Sequence, residues 1–230
     1  MPNPIDIDFV ALVSARLSEP LPGATAHSRF SPRPPRRDPF LRDVPSDARQ
    51  AAALILLYPC IPETSGRRLQ ASDYSLPLTV RRADLPDHAG QISLPGGRID
   101  VGETAEAAAL REASEEIGVD PSLVHILGSL TPLYVQVSRF LIMPFVGVAT
   151  ARPHFRLDER EVAELIEAPI PQLQDPTNLQ WGHRTREGYL IDFPYFDLDG
   201  HKVWGATAMM LGELLLLLND DFGPPAQPLR

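Results

Sequence analysis

The chain has 230 residues, enough for one well-filled core with some length to spare. Its 43% hydrophobic and 22% charged content is ordinary for a globular protein, and a net charge of -9 speaks against a generic nucleic-acid binder, which needs a basic field. The single cysteine, Cys60, excludes an internal disulfide and a Cys/His metal cluster.

The stretch Met1 to Leu17 lacks both a basic n-region and a long apolar h-region, so no secretory signal is read there. Residues 4–18 suit one short helix. Residues 20–45 hold seven prolines and the basic run Arg33, Arg36 and Arg37. Proline at that density speaks against a regular helix or a central strand. Residues 1–45 are therefore read as a short helix and an extended proline-rich arm, 46–222 as the folded domain and 223–230 as a tail.

Within the domain, Ala52 to Tyr58 is a continuous apolar run with the length of a buried strand. Leu76 to Arg81 and Gly90 to Leu94 read as two more strands, leading into a Pro95-Gly96-Gly97 turn. A helix follows from Thr104. Val124 to Leu130, Leu141 to Ala149 and Glu161 to Glu167 are strand candidates. Leu190 to Phe196 and Lys202 to Trp204 predict a hairpin around Asp199-Gly200. Thr207 to Asn219 predicts an apolar helix whose end, Leu214 to Leu218, is apolar all round and belongs in the core or at a homodimer interface. The most apolar stretch, Met209 to Leu218, is interrupted by Glu213 and far short of the ~20 residues that span a bilayer. No membrane association is expected, and the default compartment is cytoplasmic.

The helix after Thr104 carries the chemistry. Thr104 can cap it, Glu106 lies in its first turn, and Gly118 stands where a helix ends in a left-handed residue. Leu110, Ala113 and Ile117 share one stripe, and Glu112, Glu115 and Glu116 fall roughly opposite. Three carboxylates at i, i+3 and i+4 repel one another, so stability alone would not select them. Beside a loop glycine they suit a hard divalent cation such as Mg2+, with Mn2+ as a substitute. Arg111, four residues before Glu115, can brace the cluster.

The full run is Gly97-x5-Glu103-x7-Arg111-Glu112-Ala113-x-Glu115-Glu116-x-Gly118-Val119. Seven Gly, Glu and Arg positions at set spacing match a window by chance with a probability on the order of 10^-8. The segment resembles the Nudix box of the Nudix hydrolases, with Ala113 where that family usually has a larger aliphatic residue. The resemblance implies an α/β/α sandwich with a mixed β-sheet, and Mg2+-dependent attack of water on the diphosphate of a small-molecule nucleotide. It makes Gly97 (through its carbonyl), Glu112, Glu115 and Glu116 the metal ligands, with Glu112 as ligand or base. Arg111 and Glu161 join them as catalytic candidates, Glu161 as a late metal ligand or base.

The preceding segment resembles the accessory motif of the coenzyme A pyrophosphatase branch at Thr79, Arg81, Leu85, His88, Gly90, Gln91, Pro95, Gly96 and Gly97. It departs at Arg82, Pro86 and Leu94, where that branch has Ser, Arg and Phe. Thr79, Arg81, Arg82, His88 and Gln91 are the implied substrate-binding residues. Val203-Trp204-Gly205-Ala206-Thr207-Ala208 is similar to that branch's C-terminal signature, so the resemblance covers about residues 50–218. It implies hydrolysis of coenzyme A to 3',5'-ADP and 4'-phosphopantetheine. The alternatives are another nucleoside diphosphate derivative, such as ADP-ribose or NADH, and a nucleotide-binding sensor without catalysis.

Overall fold

The computed structural model describes residues 9–33, 44–60, 69–84, 90–186 and 188–226. At the centre lies β1, Arg49–Pro59, the apolar run extended at both ends. Its side chains alternate between two faces. Ala52, Leu54, Leu56 and Tyr58 enter one core with Ala108, Ala109, Ala113 and Ile117 of α3 (Ala105–Ile117). Ala53, Ile55 and Leu57 enter the other, with α5 (Ala206–Leu218), α1 (Phe9–Leu17) and α2 (Gly23–Phe30). A strand buried on both faces reads as an unbroken apolar run, as this one does. The architecture is therefore an α/β/α sandwich.

The central sheet is mixed. β1 runs parallel to β7 (Phe140–Ala149) from Arg49↔Phe140 to Leu57↔Val148, and antiparallel to β2 (Tyr74–Arg81) and β4 (Gly96–Arg98). β3 (Ile92–Ser93) and β8 (Val162–Pro169) flank β2, while β5 (Val124–Ser129) and β6 (Leu133–Val135) pair with β7. A second sheet orders β9 (Leu179–Arg186), β10 (Tyr189–Leu198) and β11 (His201–Trp204). The β10–β11 hairpin turns at Asp199 and Gly200, both with positive φ. That is the tight turn their residue types favour. The short helix α4 (Ile170–Gln174) follows β8.

Three expectations are corrected. Gly90 to Leu94 contributes only the two residues of β3, and the supposed turn at Gly96-Gly97 is strand β4 laid on β1. The extended arm contains helix α2, formed in the proline-free window between Pro22 and Pro32. Its Phe30 stacks on Phe196 and Phe222 at 5.6 and 6.2 Å, and Ala26 and Phe30 lie in the core. Among the described residues no helix is long and apolar enough to cross a membrane.

Candidate active site

Helix α3 forms where local chemistry dictates. Thr104 Oγ1 accepts the Ala107 N–H at 3.1 Å, and Gly118 ends the helix at φ 72°. Three alanines, Ala108, Ala109 and Ala113, are fully buried against β1. Side chains this small let the helix approach the sheet closely. That approach brings Glu112 and Glu116 to the backbone of β4.

Strand β4 accommodates them because its first two residues, Gly96 and Gly97, have no side chains. A Cβ on Gly97 would sit 2.5 Å from the Glu112 carboxyl carbon. A Cβ on Gly96 would sit 2.4 Å from the Ala52 carbonyl oxygen. The first glycine makes room for a carboxylate and the second for the neighbouring strand. The Gly96 N–H donates to Glu116 at 3.2 Å.

The three glutamates of α3 differ in environment. Glu116 is 6% exposed. Burial pushes its carboxyl up to about 8, against the Gly96 N–H bond and with the charges of Glu112 and Glu161 adding to the rise. Burial also raises Glu112, opposed by its bond to Arg111. Glu115 is 60% exposed along its side chain and turns to Arg111 at 3.0 Å. Arg111 also donates to Glu112 at 2.9 Å, to both oxygens of Glu103 at 2.9 and 3.1 Å, and to the Arg98 carbonyl at 3.0 Å. It ties the loop after β4 to the helix and offsets part of the crowded negative charge.

Convergence of all three carboxylates is thus corrected. Among the described residues no group of three His, Cys, Asp or Glu side chains stands ready to hold a metal ion. The like charges spread apart, one under β4 and one out to Arg111. The donor set nevertheless fits a hard divalent cation. It is all oxygen, and it sets the buried Glu116 beside the half-buried Glu112 with the ionised form of each disfavoured, a cost that a cation would offset.

Glu161 stands before β8 with Arg81 Nη1 3.7 Å from its carboxylate. Its charge reaches both Glu112 and Glu116. Arg81 is half-buried at the end of β2, beside a bulge in the β2–β8 pairing. Arg82 grips Asp84 through Nε and Nη2 at 2.8 and 2.7 Å and donates from Nη1 to the Glu159 carbonyl at 2.8 Å. Thr79 is 2% exposed, and its hydroxyl meets Ser93 at 3.1 Å, which braces β2 to β3 and offers no surface to a substrate. Gln91 is exposed next to β3. His88 lies outside the described residues.

Sequence reasoning missed the loop that joins these parts. Arg156 N–H donates to the Ile117 carbonyl and Asp158 N–H to the Glu116 carbonyl, each at 2.9 Å, so residues 156–158 cap the last carbonyls of α3. A Cβ on Gly118 would come within 2.8 Å of the Arg156 carbonyl oxygen, so this glycine serves the crossing loop as well as the helix end.

Known proteins place this arrangement. The NUDIX domain model matches residues 72–186. A Nudix hydrolase NudL of Pectobacterium atrosepticum, described as uncharacterized, is 36% identical over 188 residues, which cover 79% of this chain and 88% of that protein. The NudL of Escherichia coli K12 DH10B, described in the same words, is 34% identical over 174 residues, 73% of this chain and 82% of that one. Among solved structures, the Nudix hydrolase RenU of M. smegmatis is 25% identical with a TM-score of 0.42, covering 56% of this chain and 74% of that one. Nudix hydrolases act on small nucleotide substrates and generally use divalent metal ions such as Mg2+. The match across half the chain, together with relatives covered over most of their length, establishes that the protein belongs to the Nudix hydrolase family.

Proposed function

We propose that this Nudix hydrolase cuts the internal diphosphate of coenzyme A and its derivatives, with Mg2+, to 3',5'-ADP and 4'-phosphopantetheine. The observation that carries the substrate assignment is the segment from Thr79 to Gly97, whose motif resembles the coenzyme A branch and in which Arg81 stands beside Glu161 and Gly97 beside Glu112. The Gly97 carbonyl, Glu112, Glu115 and Glu116 would hold Mg2+ or Mn2+, which when bound supplies charge neutralisation at the diphosphate and acidity to water. Glu161 orients the attacking water and takes its proton. Arg81 supplies a charge-assisted contact to the anionic substrate. Arg111 holds Glu103, Glu112 and Glu115 in register through its whole guanidinium.

The test is a panel of coenzyme A, 3'-dephospho-coenzyme A, ADP-ribose and NADH with Mg2+. Coenzyme A should have the highest kcat/KM. Its margin over the dephospho form should be roughly ten- to a hundredfold, the equivalent of one charge-assisted bond of about 1.5–3 kcal/mol. Arg81→Ala should shrink that margin. Equal rates on the two, or faster cleavage of ADP-ribose, would transfer the assignment to the other nucleoside diphosphate derivatives. Pro86 in place of the branch's arginine is what favours that second reading.

A further inference from the structure

Arg82 is the departure from the motif with the most explicit geometry. Where the coenzyme A branch carries Ser, this chain places a guanidinium that is engaged by the protein through all three of its nitrogens. Nε and Nη2 close a two-pronged pair on Asp84, and Nη1 donates to the Glu159 carbonyl at 2.8 Å. The Arg82 backbone N–H donates to the Glu161 carbonyl at 3.0 Å. The segment 156–161 is therefore held at two ends. One end is bonded to α3 through Arg156 and Asp158, and the other to the end of β2 through Arg82. Between them the chain turns tightly, with the Glu161 and Val162 N–H groups both donating to the Asp158 carbonyl at 3.0 and 2.9 Å.

We propose that Arg82 is a positioning residue that clamps this segment so that the Glu161 carboxylate faces Glu112 and Glu116, and that it is not a substrate ligand. The inference rests on the role assigned to Glu161 above and not on coenzyme A being the substrate. Asp84 orients the guanidinium, and Glu159 is the point of attachment. The pair with Asp84 is exposed, so its loss should barely move global stability. A carboxylate displaced by an ångström at a reacting centre loses far more, up to about a hundredfold in rate.

The experiment is a double-mutant cycle with Arg82→Ala, Glu161→Gln and the pair, on whichever diphosphate of the panel the wild type cleaves, with Arg82→Lys and thermal unfolding alongside. Arg82→Ala should lower kcat about five- to thirtyfold, change KM by less than about twofold and leave Tm near the wild-type value. Arg82→Lys, which keeps one donor for the Glu159 carbonyl, should recover part of the loss. In the Glu161→Gln background Arg82→Ala should cost nothing more, since both changes act through one carboxylate. A rise in KM confined to substrates bearing a 3'-phosphate would make Arg82 a substrate ligand and overturn the proposal. So would multiplying losses in the cycle, a silent Glu161→Gln, or a loss of rate that tracks a fall in Tm. Failure of coenzyme A as substrate leaves the cycle readable on another diphosphate, so the two readings fail separately.

Discussion

Glu116→Gln should make the metal-free protein more stable while disabling it. The Glu116 carboxyl keeps its proton up to about pH 8 in the fold, against an ordinary value of 4.5. Between those values the unfolded chain has released the proton and the folded chain has not. The unfolded state then binds fewer protons, so stability falls as pH rises. The loss grows by about 1.4 kcal/mol per pH unit above 4.5, reaches about 3 kcal/mol at pH 7 and levels off above pH 8. Glutamine carries no proton to lose, and its amide oxygen can still accept the Gly96 N–H. Urea unfolding in chelator should therefore show the variant more stable than wild type by up to about 3 kcal/mol at pH 7, with no gain at pH 4.5. With Mg2+ the gap should narrow or close, because the wild type gains binding energy and the variant has lost a ligand. Turnover should fall roughly 10^2-fold or more. A variant destabilised equally at both pH values would refute the burial argument. Undiminished stabilisation by Mg2+ would refute the metal assignment.

The other expectations are simpler to read. Chelator should abolish activity, and Mg2+ at a hundredfold excess over its Kd should stabilise the wild type by about 2.7 kcal/mol in a thermal scan. Glu115→Gln should leave stability nearly unchanged, since the side chain is 60% exposed, and still lower kcat roughly 10^2-fold; near-normal turnover would remove it from the ligand set. Gly97→Ala drives a methyl into the Glu112 carboxylate, so kcat should drop about tenfold or more with the fold intact, as circular dichroism would show. Deleting residues 1–42 removes Phe9, Val13 and Phe30 from the core at roughly 1.5–3 kcal/mol each, a large part of the 5–15 kcal/mol typical of a domain. The truncated chain should be insoluble or molten; a soluble, cooperatively unfolding product would show that α1 and α2 are dispensable.

What was legible in the sequence was what local chemistry decides. The ends of α3 follow from Thr104 and Gly118, and the face it turns to the sheet follows from the stripe of Leu110, Ala113 and Ile117. The buried strand β1 announces itself as an apolar run. The second-sheet hairpin follows from Asp199-Gly200. What escaped was decided by partners distant in the chain. Gly96-Gly97 looks like a turn until the Ala52 carbonyl oxygen and the Glu112 carboxylate occupy the space where side chains would be. The three glutamates share a helix face by angle. The packing of α3 against β4 then buries Glu116 and leaves Glu115 in solvent.

Proline density misled for a physical reason. A helix needs only a window without proline, and Gly23–Phe30 is such a window. The signal for docking that window lay elsewhere. Glu213 reads as a polar interruption in the apolar run of α5, yet it is fully buried. It accepts the Gly23 N–H at 3.1 Å and the Thr131 N–H at 3.3 Å, and it meets His27 Nε2 at 2.9 Å. One residue earlier, Gly212 leaves the space that the Phe30 ring fills, with a Cβ there only 2.3 Å from the ring. An acid flanked by a glycine inside a leucine-rich helix therefore marks a docking point for another element. The same holds near the catalytic cleft. Arg82 was legible as a cation, but its task depends on Asp84 two residues on and on a carbonyl 77 residues away. The nearby carboxylate was the local sign that the guanidinium was already engaged.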